Sequence, residues 1–368
     1  MSEFNIIQKY FTKPTPQADL GVGDDAALIS VSAGMQLAIS SDMLVAGTHF
    51  FADCAPYDIG WKALAVNVSD MAAMGANPKW ATLAIALPQI LPSPSQGEGQ
   101  DGGRSFTPTL VSTPPPTPLR GEAKIGDSGE GANTESWLAE FSRGFFACAD
   151  MFNIDLIGGD TTRGPLNISV TIMGEVPTGK ALRRDGAKID DDIWVSGQLG
   201  SAALGLAHLE NKLIQGKLSL TDELEFCLTA LHTPAPRAAL GLALRDIATS
   251  CIDVSDGLLA DLGHILSASN CGATIDLEKI PCIELLKNNL DNPQFQAAIL
   301  AGGDDYELCF TAPFSQREAI NSISKQLNLP LSIIASTRIA SSLNTGGLQA
   351  HYKNNEITLL KQGFDHFS

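Results

Sequence analysis

The sequence predicts a two-domain α/β protein. Its 368 residues exceed the length at which one hydrophobic core usually suffices, and 44% of them are hydrophobic, which is enough to fill a substantial core. Segments with strand character alternate with segments of helical spacing, and the pattern starts again after Pro177. We therefore expect domains of residues 1–177 and 178–368.

The first half supplies strands and helices in alternation. Residues 36–40 predict a strand that ends at Ser41-Asp42, and residues 58–74 predict an Ala-rich helix that ends at Gly75. The remaining elements of this half are predicted as a strand at 80–87, a helix at 135–152, and strands at 154–157 and 166–176.

The second half repeats the alternation. Its predicted elements are a strand at 192–196, helices at 201–209, 221–231 and 238–248, a short strand at Ile252-Asp253, and a helix at 257–268. Asn67-Val68-Ser69-Asp70 in the first half resembles Asp253-Val254-Ser255-Asp256 in the second. Four residues are too few to establish a duplication, but they favour two α/β domains.

One segment has a different composition from the rest. From about Ser93 to Asn133 the chain is rich in Gly, Pro, Ser and Thr, and it has almost nothing to bury. The segment separates a predicted strand from a predicted helix, a link that normally needs only a few residues. We therefore expect a disordered insertion in a loop.

Charge and composition exclude several classes of protein. The net charge of −17 disfavours a nucleic-acid or anionic-membrane partner. No apolar run approaches the roughly 20 residues of a membrane span, and no secretory signal is visible at the N-terminus, so a cytoplasmic enzyme is expected. The seven cysteines contain no Cys-x-x-Cys pair, and the six histidines lack zinc-like spacing, so we expect reduced, structural thiols.

Seven aspartates lie in short runs rich in Gly, Ser and Thr. The runs are Gly23-Asp24-Asp25, Ser40-Ser41-Asp42, Val68-Ser69-Asp70, Gly158-Gly159-Asp160 and Asp253-Val254-Ser255-Asp256. Mg²⁺ prefers carboxylate and hydroxyl oxygens, and small neighbours allow backbone N–H groups to approach phosphate. Together the runs indicate an enzyme that handles phosphate through a shared multi-metal site.

Asp70 carries the strongest single signal. It lies in a helix apolar enough to be buried on most sides, where an unpaired carboxylate would cost several kcal/mol. It therefore needs a cation, and Asn67, one turn away, could add an oxygen ligand. The alternative is an ion pair with a basic residue such as Lys62 or Lys79.

Each of the other runs also has a simpler interpretation. Asp24-Asp25 could be a polar turn, and Ser40-Ser41-Asp42 could cap a helix or form a turn. Gly158-Gly159-Asp160 resembles a phosphate-binding loop, although the chain has no Walker motif and no His-Arg-Asp triplet. Arg183-Arg184 could bind phosphate or form surface salt bridges.

Seven longer runs together resemble the thiamine-monophosphate kinase family. They occur in the family's order and span nearly the whole chain apart from the insertion: residues 21–27, 41–50, 62–76, 158–164, 253–258, 303–308 and 363–367. The resemblance implies a fold like that of aminoimidazole ribonucleotide synthetase, in which the N-terminal domain pairs its sheet with that of a second subunit in a homodimer.

The resemblance also implies a reaction and its residues. ATP and thiamine monophosphate would give ADP and thiamine diphosphate by direct in-line transfer, with several Mg²⁺ ions and no general base, because the acceptor oxygen is already ionised. The metal ligands implied are Asp25, Ser40, Ser41, Asp42, Asp70, Asp160, Asp253 and Asp256. The ATP contacts are Gly159, Asp160, Arg184 and Ser255, and the substrate contacts are His49 and Asp304.

The chain departs from the family at two positions that would contact the substrate. The family usually has Glu where this chain has Asp304, which is one methylene shorter. An aromatic residue that the family often places against the substrate corresponds to Lys361, which leaves Phe364 as a substitute substrate contact.

Two other interpretations remain open. A selenophosphate or aminoimidazole ribonucleotide synthetase would share the fold, but the former should carry a reactive Cys or selenocysteine near the N-terminus, and residues 1–20 contain no cysteine. A non-enzymatic acidic metal-binding module would need neither Arg184 nor Asp304.

Overall fold

The computed structural model describes residues 2–89, 130–213, 222–340, 347–359 and 363–364. The predicted disorder of residues 93–133 falls almost entirely outside these ranges, and so does Lys361. In the described part of the chain the protein has two sheets, one built before residue 178 and one after it.

The first sheet has four strands in the order β1-β4-β2-β3. The strands are β1 (Met35–Val45), β2 (Asn77–Leu87), β3 (Asp155–Arg163) and β4 (Asn167–Pro177). β4 pairs antiparallel with both β1 and β2, and β3 runs parallel to β2. The first half also contains the helices α1 (Glu3–Ile6), α2 (Pro56–Ala73) and α3 (Glu130–Phe152), and a short π-helix (Ile7–Phe11) follows α1.

The two faces of this sheet differ. α2 packs against β1 and β4, and α3 packs along α2, so this inner face is buried with Leu83 and Ile85 in the core. Side chains alternate between faces along a strand. On the opposite, outer face, Ile39 is 61% exposed and Met43 is 54% exposed.

The second sheet has seven strands in the order β11-β10-β7-β9-β5-β8-β6. The strands are β5 (Asp192–Ser196), β6 (Ser250–Asp253), β7 (Cys271–Asp276), β8 (Leu308–Ala312), β9 (Leu331–Ile339), β10 (Leu348–Tyr352) and β11 (Asn355–Glu356). The helices are α4 (Ser201–Leu209), α5 (Asp222–His232), α6 (Ala238–Ala243), α7 (Leu258–Ala268), α8 (Glu284–Lys287), α9 (Pro293–Ala301) and α10 (Arg317–Leu327).

α2 joins the two halves. Its last residues, Ala72 and Ala73, belong to a buried cluster that includes Leu182, Trp194 and Leu240 of the second half. α2 is buried along most of its length because it lies between the first sheet and the second half of the chain. Its polar residues therefore meet partners from both halves.

The predicted elements, which end at residue 268, agree with the structure except in four places. α3 begins at Glu130, five residues before the predicted start. β1 continues to Val45, so Ser41 and Asp42 lie inside the strand. β3 contains residues 158–160, which pair with β2 and do not form the loop that the sequence predicted. α6 ends at Ala243, five residues before the predicted end.

Two expectations from composition can also be compared with the structure. All seven cysteines are free, and all but Cys54 are buried, which confirms reduced, structural thiols. Among the described residues, no helix has the length and apolar character that crossing a membrane requires.

Candidate functional site

Four predicted aspartates converge where the two halves meet. We call Asp42 on β1, Asp70 on α2, Asp253 at the end of β6 and Asp256 in the next loop the acidic cluster. Burial raises the pKa of Asp42 to about 6, and the charges of Asp70 and Asp256 add to this rise. Burial and the charge of Asp70 raise the pKa of Asp253 to about 7. Like charges are therefore held close together in a poorly solvated place.

Asp70 has a hydroxyl partner and a nearby arginine. Burial raises the pKa of Asp70, while the Ser40 hydroxyl, which donates a hydrogen bond to its carboxylate, and the charge of Arg184 lower it. Arg183 instead forms two hydrogen bonds with Asp185 at the surface, of 2.8 and 2.7 Å. Of this arginine pair, Arg184 is thus the one whose charge acts on the acidic cluster.

The structure pairs neither Lys62 nor Lys79 with Asp70. The Lys62 Nζ lies 3.0 Å from Asp304, and the Lys79 Nζ lies 3.0 Å from Glu175. The simple ion-pair interpretation of Asp70 therefore fails with the two lysines considered for it.

Asp253 receives one hydrogen bond from the first half of the chain. The Ser69 hydroxyl donates to its carboxylate over 2.8 Å, and both side chains are buried. Ser69 and Asp70 are neighbours on α2. This helix therefore places a hydroxyl donor against Asp253 and the carboxylate of Asp70 close to it. The contact fixes the end of β6 against α2.

The loop after β6 is held by an aspartate that sequence reasoning missed. The backbone N–H groups of Ser255, Asp256 and Gly257 all donate to one carboxylate oxygen of Asp261, over 3.0, 3.1 and 3.1 Å. Asp261 lies in the first turn of α7, where a carboxylate also favours the helix dipole. An acidic residue four positions after Gly257 was the available signal. It fixes the backbone that carries Ser255 and Asp256.

Asp304 lies in a loop before β8 and contacts both halves. One of its oxygens, Oδ1, accepts from the Tyr306 hydroxyl over 3.0 Å and lies 3.0 Å from the Lys62 Nζ. The Asp304 N–H donates to the Ser255 carbonyl over 2.9 Å. The predicted substrate residue is thereby tied to a predicted ATP residue, and Lys62 is a site residue that sequence reasoning did not identify.

The rest of this loop is anchored by paired carboxylates. Asp305 accepts from the N–H of Gly200, at the start of α4, over 2.7 Å. Glu307 accepts from the Ser196 hydroxyl over 2.5 Å and forms a two-pronged ion pair with Arg237. Both acidic side chains have strong donors, so the loop has a fixed shape.

Phe364 reaches the acidic cluster through its backbone. Its N–H donates to the Asp256 carbonyl over 3.0 Å, and its side chain is 51% exposed. The C-terminal segment is therefore attached beside the loop that carries Ser255 and Asp256. Phe364 is thus exposed beside this loop, where a ligand could contact it.

Two predicted residues lie on the outer face of the first sheet, away from Asp70. The Ser41 hydroxyl bonds to Thr171 over 2.9 Å, and Asp160 pairs with Ala84 on the same face. β1 and β3 are three strand spacings apart, which is about 14 Å. Next to Asp160, a side chain at Gly159 would clash with the Leu83 carbonyl, so glycine is required there.

Asp25 and His49 are held by local contacts. Asp25 is exposed, and its N–H donates to the Asp24 carboxylate over 2.8 Å, as in the predicted polar turn. The His49 Nδ1 accepts from the Val45 N–H over 3.0 Å in the turn after β1. Neither of these contacts joins the acidic cluster or the Asp304 loop.

The donor set of the acidic cluster fits Mg²⁺. It offers hard carboxylate oxygens whose mutual repulsion a cation would relieve, and the fully buried Asn67 Oδ1, one turn before Asp70, has no hydrogen-bond partner among the described residues. In the described part of the chain, no three His, Cys, Asp or Glu side chains already surround a single point. The oxygen donors of the acidic cluster are therefore of the type that Mg²⁺ prefers, although they do not form a closed coordination shell.

Family models match both halves of the chain. The AIR synthase related protein, N-terminal domain, matches residues 23–100 and 125–176, and the C-terminal domain of the same family matches residues 189–338. Thiamine-monophosphate kinases of Salmonella typhimurium strain LT2 and Escherichia coli strain K12 are each 38% identical over 369 residues, which cover 100% of this chain and 98% of theirs.

Solved structures share the fold. The crystal structure of thiamine-monophosphate kinase from Stenotrophomonas maltophilia is 40% identical, covers 96% of each chain and gives a TM-score of 0.73. AaThiL complexed with AMPPCP and TMP is 24% identical with a TM-score of 0.67, over 99% of this chain and 96% of that one. The hydrogenase maturation protein HypE, at 19% identity and a TM-score of 0.67 over 98% and 95%, has the same fold.

Proposed function

The chain belongs to the thiamine-monophosphate kinase family, and we propose that it transfers the terminal phosphoryl group of ATP to thiamine monophosphate, giving ADP and thiamine diphosphate. The observation that carries the proposal is the acidic cluster, to which β1, α2 and the end of β6 each contribute a carboxylate. A protein of net charge −17 can gather two polyanions only where cations intervene.

The roles of the residues follow from their chemistry. Asp42, Asp70, Asp253 and Asp256 would hold Mg²⁺, with Ser40 orienting Asp70. When bound, Mg²⁺ neutralises the charge of the two phosphate groups and aligns them for in-line transfer. Arg184 adds a guanidinium suited to phosphate oxygens. Ser255 would contact ATP through its hydroxyl, because its backbone N–H already donates to Asp261.

Two ends of an elongated acceptor would be bound along α2. Lys62, which pairs with Asp304, and Ser69, which pairs with Asp253, are seven residues apart on one face of the helix, about 10 Å along its axis. We assign the phosphate of the acceptor to the acidic cluster and its ring system to Asp304 and Phe364. His49 remains a proposed contact of the substrate, and Asp25 remains a proposed ligand of a metal ion.

We further propose that the protein is a homodimer in which the strands of the two first sheets pair and enclose their outer faces. The exposed Ile39 and Met43 would be covered by a second copy, which removes apolar surface from water. β1 and β3 are the two edge strands of the first sheet, so strand pairing between two copies would place Asp160, on β3, beside β1 of the other subunit, the strand that carries Asp42.

The test of the activity is an assay with chemically defined acceptors. Purified protein with ATP and Mg²⁺ should form thiamine diphosphate from thiamine monophosphate, measured by chromatography, and should not phosphorylate free thiamine, which lacks the anionic acceptor. ATP hydrolysis that is independent of thiamine monophosphate would favour another synthetase of this fold. Absence of any ATP turnover would favour a metal-binding module.

Co-expression of two inactive variants tests the shared site. Asp70→Asn and Asp160→Asn should each be inactive as homodimers, but a heterodimer regains one site with both aspartates, so a random mixture should recover about a quarter of the wild-type activity. No recovery in heterodimers of confirmed composition would place Asp160 in the site of its own subunit. Sedimentation should show that Ile39→Glu converts the dimer to a monomer.

A further inference from the structure

We propose that Lys62 and Tyr306 are positioning residues that hold one oxygen of Asp304 and so present its other oxygen to an N–H donor on the ring system of the substrate. The inference rests on the proposed function and deepens it, because it states how the ring end of thiamine monophosphate is recognised. It also identifies the group of the substrate that Asp304 recognises, which is a neutral hydrogen-bond donor.

Both donors act on the same oxygen. The Lys62 Nζ and the Tyr306 hydroxyl each lie 3.0 Å from Oδ1 of Asp304. No hydrogen bond from a described residue reaches Oδ2, and the Asp304 side chain is 30% exposed, whereas that of Lys62 is 6% exposed. The buried donors therefore fix the carboxylate through Oδ1, and Oδ2 of this partly exposed side chain remains available to a ligand.

The backbone supports the same arrangement. Asp304 has φ 67° and Tyr306 has φ 49°, a left-handed conformation that is uncommon for aspartate and an outlier for a bulky tyrosine. Their N–H groups donate to the Ser255 and Val254 carbonyls, both over 2.9 Å, and these bonds hold the conformation. Such strain persists where a site requires a particular side-chain direction.

The ion pair changes what Asp304 can recognise. The buried ammonium of Lys62 neutralises the carboxylate, so little net charge remains to attract the thiazolium cation of thiamine. A hydrogen bond from the aminopyrimidine amino group to Oδ2 does not depend on net charge. The geometry thus favours the amino group over the cationic ring as the partner of Asp304.

Kinetics of Tyr306→Phe and Lys62→Met test the inference. Loss of one orienting hydrogen bond should raise the KM for thiamine monophosphate about fivefold in Tyr306→Phe and about tenfold in Lys62→Met, with the KM for ATP within about twofold of wild type. Lys79→Met, which breaks the comparable Lys79–Glu175 pair, is the matched control and should leave both KM values unchanged. Melting temperatures identify variants that fail to fold.

A double-variant cycle and an analogue complete the test. In an Asp304→Asn background, Tyr306→Phe should add less than about twofold to the KM, because the oriented carboxylate is already lost. Oxythiamine monophosphate, in which an oxo group replaces the amino group, should bind wild-type protein more weakly in calorimetry and lose the dependence on Tyr306.

Two outcomes would overturn the inference. A fall in the KM for thiamine monophosphate in Lys62→Met would show that the freed carboxylate attracts the thiazolium as a counterion. Equal rises in both KM values would show that the Lys62–Asp304 pair only joins the two halves. If wild-type protein forms no thiamine diphosphate, the proposed function fails instead, and the two failures are thus distinguished in one assay.

Discussion

The acidic cluster and the Asp304 loop differ in how their carboxylates are neutralised. In the loop, Asp304 meets Lys62 and Glu307 meets Arg237. In the cluster, Asp253 has one hydroxyl partner, Ser69, and burial together with a neighbouring carboxylate raises its pKa. Two of the three acids in the loop thus have a cation of their own, and the third, Asp305, accepts backbone N–H groups while burial raises its pKa. The acidic cluster has no ion pair of this kind among the described residues.

The difference indicates two kinds of binding site within one cleft. Paired carboxylates are rigid and recognise shape and hydrogen-bond donors. Unpaired, mutually repelling carboxylates store unfavourable electrostatic energy that a bound cation relieves. Neutralising one carboxylate in each region should therefore have opposite effects on the free energy of unfolding.

The largest expected effect is on turnover when a cluster charge is removed. Asp70→Asn keeps the shape of the side chain but removes a metal-binding charge, and turnover should fall about 10²–10³-fold, as it does when one preorganised electrostatic contact is lost. Asp150→Asn, at an exposed aspartate that pairs with Lys13, is the control and should retain activity. Near-normal turnover of Asp70→Asn at ordinary Mg²⁺ concentrations would make Asp70 structural.

A smaller effect should separate the two regions by stability. Glu307→Gln leaves the partly buried Arg237 without its counterion and should lower the free energy of unfolding by about 3 kcal/mol. Asp253→Asn relieves repulsion and should leave the melting temperature of the metal-free protein unchanged or higher. Denaturant unfolding without Mg²⁺ measures both.

The comparison would be wrong if the two variants lost similar stability. That result would mean that Ser69 stabilises the ionised form of Asp253 as effectively as Arg237 stabilises Glu307. A double-mutant cycle of Ser69→Ala, Asp253→Asn and the double variant then measures the coupling energy of that pair.

The smallest effect concerns pH. The folded-state pKa values of Asp42 and Asp253, about 6 and about 7, lie above the ordinary value of 3.8, so their contribution to stability is complete below pH 3.8 and is lost as the pH rises through 6 to 7. Without Mg²⁺ the melting temperature should fall by a few degrees between about pH 5.5 and pH 8. Saturating Mg²⁺ should remove most of this fall, because it binds the ionised carboxylates. An equal fall in Asp42→Asn/Asp253→Asn would assign the effect to other groups.

The sequence predicted the elements up to residue 268 and part of the site, but none of the strands and helices that follow α7. Asp70 is partly buried, as its apolar helix indicated, and Asp253 is the last residue of a strand, as the prediction of a strand at Ile252-Asp253 implied. Both predictions rest on the local pattern of apolar residues, which identifies helices and strands from the sequence alone. The two-domain fold was confirmed by the family models for both halves.

What the sequence could not predict depends on contacts across the fold. Ser41 and Asp160 were placed with Asp70 because β1 was expected to end at Ser40 and residues 158–160 were expected to form a loop. Inside strands, alternation turns both side chains to the outer face. The pairing of Lys62 with Asp304 joins residues from different halves, and no local pattern indicates such a partner.

The spacing along α2 limits how this chain can change. Lys62 and Ser69 reach Asp304 and Asp253 from one uninterrupted helix, at positions seven residues apart. Inserting or deleting a single residue between them would rotate one contact about 100° away from the second half of the chain. The residues between them are buried, so substitutions in this segment are limited by packing, whereas a change in its length would misdirect a whole contact. The seven-residue interval is therefore a constraint that no single substitution within it could relieve.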